Sequence, residues 1–131
     1  MIGVDIVYIP RFRRAIMGTY AERLLNRIYS EAELLQCSEK NEVSRLQSLA
    51  GRFAIKEAVI KASKGELTIS DLKAIEVRQA SSGYLEVFIS RKDLSCIFYE
   101  VSMSHDGDYA VGIAMKAKNG TNFANLYNSM Q

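Results

Sequence analysis

The chain has 131 residues, of which 48% are hydrophobic and 24% charged. These proportions suit one globular domain and exclude a disordered tract, a collagen-like repeat or a coiled coil. The formal net charge of +2 is too small to argue for nucleic-acid binding by itself.

Residues 2–9 alternate Ile2, Val4 and Ile6 with Gly3, Asp5 and Val7, and are rich in β-branched residues, which predicts a strand. Pro10, the one proline, suits the first turn of a helix over about 11–17. Gly18-Thr19 breaks it, and residues 20–27 read as another short helix. Ser30-Glu31-Ala32-Glu33 is a capping box, so a helix is predicted from 31 to about 38. A long helix over about 42–64 follows and ends on Lys64-Gly65, a basic last turn and a glycine cap. The character then changes. Residues 73–79, 84–90, 96–104 and 108–117 are rich in Val, Ile, Tyr and Phe and read as a strand meander. Asp106-Gly107 is the tight-turn signal between the last two. The order predicts one α+β domain over residues 1–118, with the long helix buried on an antiparallel β-sheet, and a loose tail or weak helix over 119–131.

No run of about 18 apolar residues is present, so no membrane-spanning helix is predicted. The start, Met1-Ile2-Gly3-Val4-Asp5, lacks the basic region of a secretory signal. Cys37 and Cys96 lie far apart among apolar neighbours and read as two reduced, buried thiols of a cytoplasmic protein.

Three features do not fit a plain core. On a wheel of 100° per residue, Glu57 falls near the middle of the stripe made by Leu46, Leu49, Ala50, Phe53 and Ile60, with Lys61 beside it. Ile55 and Val59 make the opposite side apolar too. A buried carboxylate must be paired, protonated or bound to a cation. One reading is an ion pair of Glu57 with Lys61 at i,i+4; the other is a metal ligand beside a phosphate-binding lysine. Asp5 is the same anomaly inside a strand: an acid on an exposed strand face, or a partner for Glu57. Carboxylates from a strand and a helix suit Mg²⁺, which keeps several waters and completes its shell with phosphate oxygens. The third feature is Ser102-Met103-Ser104-His105-Asp106, with the chain's one histidine at a strand end. Neighbours so close in sequence do not build a Ser-His-Asp triad, but a hydroxyl and an imidazole there can bind a phosphate or a base edge. Arg11, Arg13, Arg14, Arg23 and Arg27 crowd the first thirty residues, either as a solvated helix face or as a surface for an acidic partner.

Three blocks in this order resemble the holo-acyl-carrier-protein synthases, the smaller members of the phosphopantetheinyl transferase superfamily. Gly3-Val4-Asp5-Ile6-Val7 with Arg11-Phe12 is similar to the family's opening strand. Phe53-Ala54-Ile55-Lys56-Glu57-Ala58-Val59-Ile60-Lys61-Ala62 matches its most specific motif. Val101-Ser102-Met103-Ser104-His105 with Tyr109-Ala110 resembles the third, and Arg27-Ile28-Tyr29-Ser30 with Glu33 resembles a weaker block. The resemblance covers residues 2–117.

It implies an enzyme in which Asp5 and Glu57 hold Mg²⁺ with the diphosphate of coenzyme A, and Lys61 contacts that diphosphate. A serine of an acidic acyl carrier protein attacks the β-phosphate, in fatty acid biosynthesis. The proton acceptor is Glu57 or a metal-bound water held by Asp5, and the sequence leaves both open. The resemblance puts Arg52, Ser104 and His105 near the adenine and 3′-phosphate. Arg11, Arg13 and Arg14 would meet the carrier protein, and the assembly would be a homotrimer with active sites at subunit interfaces. Lys56 belongs to the motif but points some 100° away from Glu57. The chain departs from the family at Tyr8, where Glu is frequent, at Lys64, where Gly is usual, and at Gly83-Tyr84-Leu85, where Gly-x-Pro is common. A module that binds coenzyme A or carrier protein without chemistry is the alternative. A nucleic-acid-binding domain is disfavoured by the small net charge and the buried-looking acids.

Overall fold

A computed structural model describes residues 1–117. The boundary at 118 and the tail over 119–131 lie outside the described residues.

The chain opens with strand β1 (Ile2–Tyr8), followed by helices α1 (Ile9–Ile16), α2 (Ala21–Ile28), α3 (Glu31–Ser38) and α4 (Glu42–Ala62). A 3-10 helix over Ile69–Ala74 leads into strands β2 (Ile75–Gln79), β3 (Leu85–Ile89), β4 (Tyr99–Asp106) and β5 (Tyr109–Lys116). The meander does not form one sheet. β1 adds to the last two strands in an antiparallel sheet of order β1-β5-β4, while β2 and β3 form a separate hairpin. α4 runs across the three-stranded sheet and packs on β2, α1 and α3 as well, which is the α+β arrangement read from the sequence.

β1 lies against α4 by the face that its sequence pattern would assign to solvent. Gly3 and Val7 are buried and Asp5 is half-buried, whereas Ile2, Val4 and Ile6 are 60%, 55% and 61% exposed. The reason is how closely helix and sheet approach. A Cβ on Gly3 would sit 1.9 Å from the Ala58 carbonyl oxygen, and one on Gly112 would sit 2.5 Å from the Ala54 carbonyl carbon. α4 meets them with Ala54, Ala58 and Ala62, all buried, at i, i+4 and i+8 on one helix face. Small residues on both surfaces bring β1 close to α4, and the register places Asp5 opposite Gly112.

The other side of α4 is held by a buried ion pair. Lys56 is fully buried, and its Nζ donates to Glu33 Oε1 at 2.7 Å, to the Leu72 carbonyl at 2.8 Å and to the Ile75 carbonyl. Glu33 also completes the expected capping box: its Oε1 accepts from the Ser30 amide at 3.0 Å, and its own amide donates to Ser30 Oγ at 3.2 Å. Its Oε2 accepts from the Val77 amide at 3.2 Å. Burial lowers the Lys56 pKa, and the Glu33 charge opposes that shift. The ammonium's three bonds meet its full donor capacity, which is what makes a charge tolerable there. Tyr29 adds a buried hydroxyl that donates to the Leu49 carbonyl at 2.5 Å.

α4 stops at Ala62, earlier than the sequence predicts. Ser63 Oγ donates to the Ile60 carbonyl at 2.7 Å and accepts from the Leu67 amide at 3.0 Å, closing the helix end. Two residues then turn left-handed, Lys64 at φ 52° and Gly65 at φ 93°. A lysine thus holds a conformation that glycine adopts at lower cost. The residues over 69–74, part of which the sequence reads as strand, are 3-10 helix started by Thr68 and Asp71. The turn at Asp106-Gly107 is as expected: Asp106 pairs with Tyr109 across Gly107 (φ 56°) and Asp108.

Candidate active site

Asp5, Glu57 and Lys61 converge where the middle of β1 crosses the last turns of α4. Lys61 Nζ donates to Asp5 Oδ1 at 3.1 Å and to the Val4 carbonyl at 2.9 Å. The helical ion pair of Glu57 with Lys61 considered from the sequence does not form: the lysine turns to the strand. Asp5 and Glu57 share the walls of a cleft of about 430 Å³ with Tyr8, Arg11 and Phe12. Burial raises the Glu57 pKa, the nearby Asp5 charge raises it further, and Lys61 pulls it down. The corner therefore carries more negative charge than one lysine satisfies.

Such a corner can hold a hard divalent cation. Among the described residues no group of three or more His, Cys, Asp or Glu side chains could form a metal cage on its own. Two carboxylates from a strand and a helix fit Mg²⁺ instead, since that ion takes its remaining ligands from water and phosphate oxygens.

Arg52 and His105 line a second cleft, of about 450 Å³, together with Lys40, Gln47 and Tyr84. Arg52 is buried, donating from Nη1 to the Val77 carbonyl at 2.8 Å and from Nη2 to Gln36 Oε1 at 2.5 Å. Ser104 is on β4 next to His105 in sequence, but strand alternation turns it to the outer face of the sheet, opposite Val111. So the six residues singled out do not form one site within one chain. Asp5 and Glu57 line one cleft and Lys61 pairs with Asp5 beside it, Arg52 and His105 line the other, and Ser104 stands on the outer face. Lys40 and Tyr84 line that cleft without being among the candidate site residues, and Lys40 belongs to no motif block. The one signal for Tyr84 is an aromatic residue at the tip of a polar turn.

Arg11, Arg13 and Arg14 project from the exposed side of α1, while Ile9, Phe12 and Ile16 face the core. Arg11 lies 5.7 Å from the Tyr8 ring centroid, and Arg13 reaches Glu42 Oε1 at 4.0 Å. Among the described residues the outer face of the sheet is apolar and exposed, with Tyr109, Ile113 and Met115 at 49%, 40% and 50% exposure beside Ile2, Val4 and Ile6. The two apolar sides of α4, by contrast, are both covered within the chain. Cys37 is buried, with its sulfur 3.3 Å from Ser48 Oγ, but Cys96 is exposed, because residues 96–98 form a loop and the strand starts only at Tyr99. Among the described residues no helix is long and apolar enough to cross a membrane.

Comparison with known proteins agrees with this geometry. The family model described as the 4′-phosphopantetheinyl transferase superfamily matches residues 1–114. A holo-[acyl-carrier-protein] synthase of Wolbachia pipientis is 40% identical over 115 residues, covering 87% of this chain and 90% of that protein. The crystal structure of the Helicobacter pylori holo-[acyl-carrier-protein] synthase in complex with coenzyme A superposes with a TM-score of 0.75 at 28% identity, covering 89% of this chain and all of the other. The Chronobacterium ammoniagenes complex with coenzyme A gives a TM-score of 0.77 at 27% identity, covering 89% and 96%. The chain belongs to the 4′-phosphopantetheinyl transferase superfamily, as one of its holo-[acyl-carrier-protein] synthases.

Proposed function

We propose that the chain transfers the 4′-phosphopantetheine group of coenzyme A to a serine hydroxyl of an apo-acyl carrier protein, in fatty acid biosynthesis. The observation that carries this reading is the convergence of Asp5, Glu57 and Lys61 at one corner of β1 and α4. The serine oxygen attacks the β-phosphorus of the diphosphate, its bond to phosphorus forms, the bond to adenosine 3′,5′-bisphosphate breaks, and the hydroxyl proton would pass to Glu57 or to a water held by Asp5. Phosphoryl chemistry of this kind depends on positioning and charge neutralisation more than on covalent catalysis.

Asp5 and Glu57 would hold Mg²⁺, which supplies positive charge at the diphosphate oxygens. Lys61 has a half-exposed side chain, free to meet the diphosphate at the same corner. Arg52 and His105 would receive the adenosine 3′-phosphate end, and Ser104 would border that cleft from a neighbouring surface. Arg11, Arg13 and Arg14 form a basic helix face that suits an acidic carrier protein, with an encounter rate sensitive to salt.

Two observations support a homotrimer with shared sites. Among the described residues an apolar sheet face is exposed, and Asp5 and Glu57 line a different cleft from Arg52 and His105. In an assembly, the corner of one protomer would face the Arg52–His105 cleft of the next. We place the enzyme in the cytoplasm, where Cys37 and Cys96 remain thiols.

The test is to incubate the protein with apo-acyl carrier protein, coenzyme A and Mg²⁺ and to weigh the carrier by mass spectrometry. A gain of about 340 Da that disappears with EDTA is expected, since coenzyme A delivers one phosphopantetheine per serine. Retained coenzyme A binding with no mass gain on any acidic carrier would point instead to a binding module.

A further inference from the structure

The cleft that holds Arg52 and His105 carries a feature that charge neutralisation does not use. Lys40 and Arg52 supply two cations to its walls, Gln47 and Gln79 add polar groups, and no carboxylate lines it. That lining suits an anion with a polar body. At its edge stands Tyr84, whose side chain is among the most open in the molecule at 79% exposure.

The backbone beneath that ring is fixed. The Ala80 amide donates to the Tyr84 carbonyl at 2.8 Å, the Gly83 amide to the Ala80 carbonyl at 2.9 Å, and the Gln79 side chain to the Gly83 carbonyl at 3.3 Å. Gly83 makes the turn with φ 91°, a conformation that a side chain would strain. An aromatic ring with only two side-chain torsions, on a pinned hairpin where the cationic cleft meets a second cleft, loses little freedom when a flat partner settles on it.

We infer that Tyr84 is the stacking platform for the adenine base of coenzyme A, and so a residue that sets affinity for that substrate. This rests on the proposed reading that the Arg52–His105 cleft takes the adenosine 3′-phosphate end. Ring stacking adds affinity for a planar base, while the cations hold the phosphate.

Titration calorimetry of the full chain with adenosine 3′,5′-bisphosphate tests this, comparing the unchanged protein with Tyr84→Leu, Tyr84→Phe and His105→Ala. Tyr84→Leu should weaken binding roughly 10-fold, as loss of one base–aromatic stack does, and Tyr84→Phe should stay within about 2-fold of the parent. If His105→Ala weakens binding and Tyr84→Leu does not, the role of Tyr84 is overturned while the assignment of the cleft stands. Equal weakening by Tyr84→Phe and Tyr84→Leu also overturns it, since the hydroxyl rather than the ring would then be the contact. If the parent does not bind, or if His105→Ala and Tyr84→Leu both bind as the parent does, the assignment of the cleft fails and the inference falls with it.

Discussion

Lys61 donates to Asp5 on β1, across the helix–sheet interface, and not to Glu57 one helical turn behind it: Nζ lies 3.1 Å from Asp5 Oδ1. The lysine thereby bridges the two elements that carry the carboxylates. Its side chain is about half exposed, so the ion pair adds at most about 1 kcal/mol to stability. Lys61→Met should therefore lower transfer at least about 100-fold through lost charge stabilisation, with little change in unfolding free energy. Steady-state kinetics beside a urea melt measures both, and a large stability loss with normal turnover would contradict the assignment.

Glu57 should trade stability for function. Its folded-state pKa is raised by burial and by Asp5, so the folded protein holds that proton more tightly than the unfolded chain does. The stabilising contribution is then complete below the ordinary glutamate range and is lost as pH rises through the folded value. At pH 7.5 in EDTA the ionised side chain is a cost, and Glu57→Gln should raise the urea midpoint while abolishing Mg²⁺-dependent transfer. The gain should shrink at pH 4. A lower midpoint for the variant at pH 7.5 would contradict this balance.

The Lys56–Glu33 pair should matter to the fold and not to the chemistry. Lys56→Met leaves Glu33 buried with one fewer partner and takes one donor from each of the Leu72 and Ile75 carbonyls. Breaking such a pair costs about 3–5 kcal/mol, which chemical denaturation would read directly. A loss below about 1 kcal/mol would mean that water reaches the ammonium.

Gly3→Ala is the smallest change that should separate strand from helix. The new Cβ would meet backbone, the Ala58 carbonyl oxygen at 1.9 Å, and no side chain there can swing aside. Overpacking of this kind costs about 1–3 kcal/mol or more, and the displaced strand carries Asp5 with it. Transfer should fall even below the melting temperature, because Asp5 moves away from Glu57 and Lys61. Full activity in a stably folded Gly3→Ala protein would contradict the role given to this close contact.

Alkaline unfolding should follow two tyrosines. Burial, followed by the charges of Glu33 and Cys37, lifts the Tyr29 pKa well above its ordinary value of 10.0. Burial, followed by the Glu66 charge, pushes Tyr99 up to about 12. Both pKa values are higher in the folded state, so the stability they give is complete below about pH 10 and is lost as pH rises through the folded values. Tyr29→Phe should cost about 1–2 kcal/mol at pH 7, since its hydroxyl donates to the Leu49 carbonyl, and should flatten part of the alkaline decline. Urea midpoints between pH 8 and 11 give the comparison.

Much of this architecture was legible in the chain. The capping box at Ser30, the long α4, the turn at Gly107 and the anomalous acids at 5 and 57 follow from local rules that the tertiary structure does not override. The facing of β1 was not legible. Alternation alone assigns Ile2, Val4 and Ile6 to the core, and only the close approach of α4 explains why the glycine-bearing face is inside. Lys56 read as a motif residue turned away from Glu57, and its burial depends on Glu33, twenty-three positions away in sequence. Cys96 read as buried because its neighbours are apolar, yet it falls in the loop before β4. The division of the site residues between two clefts follows from which face of β4 and which side of α4 each occupies, and no local pattern encodes that.

In the proposed assembly, one working site draws Asp5, Glu57 and Lys61 from one protomer and His105 from its neighbour. Mixing subunits distinguishes this from sites complete within one chain. Lys61→Ala and His105→Ala proteins, each expected to have lost transfer when assayed alone, are unfolded together, refolded and assayed for carrier modification. If sites are shared between neighbours in a cyclic assembly, random mixing restores roughly a quarter of the parent activity. Mixed oligomers that form but remain inactive would contradict the claim.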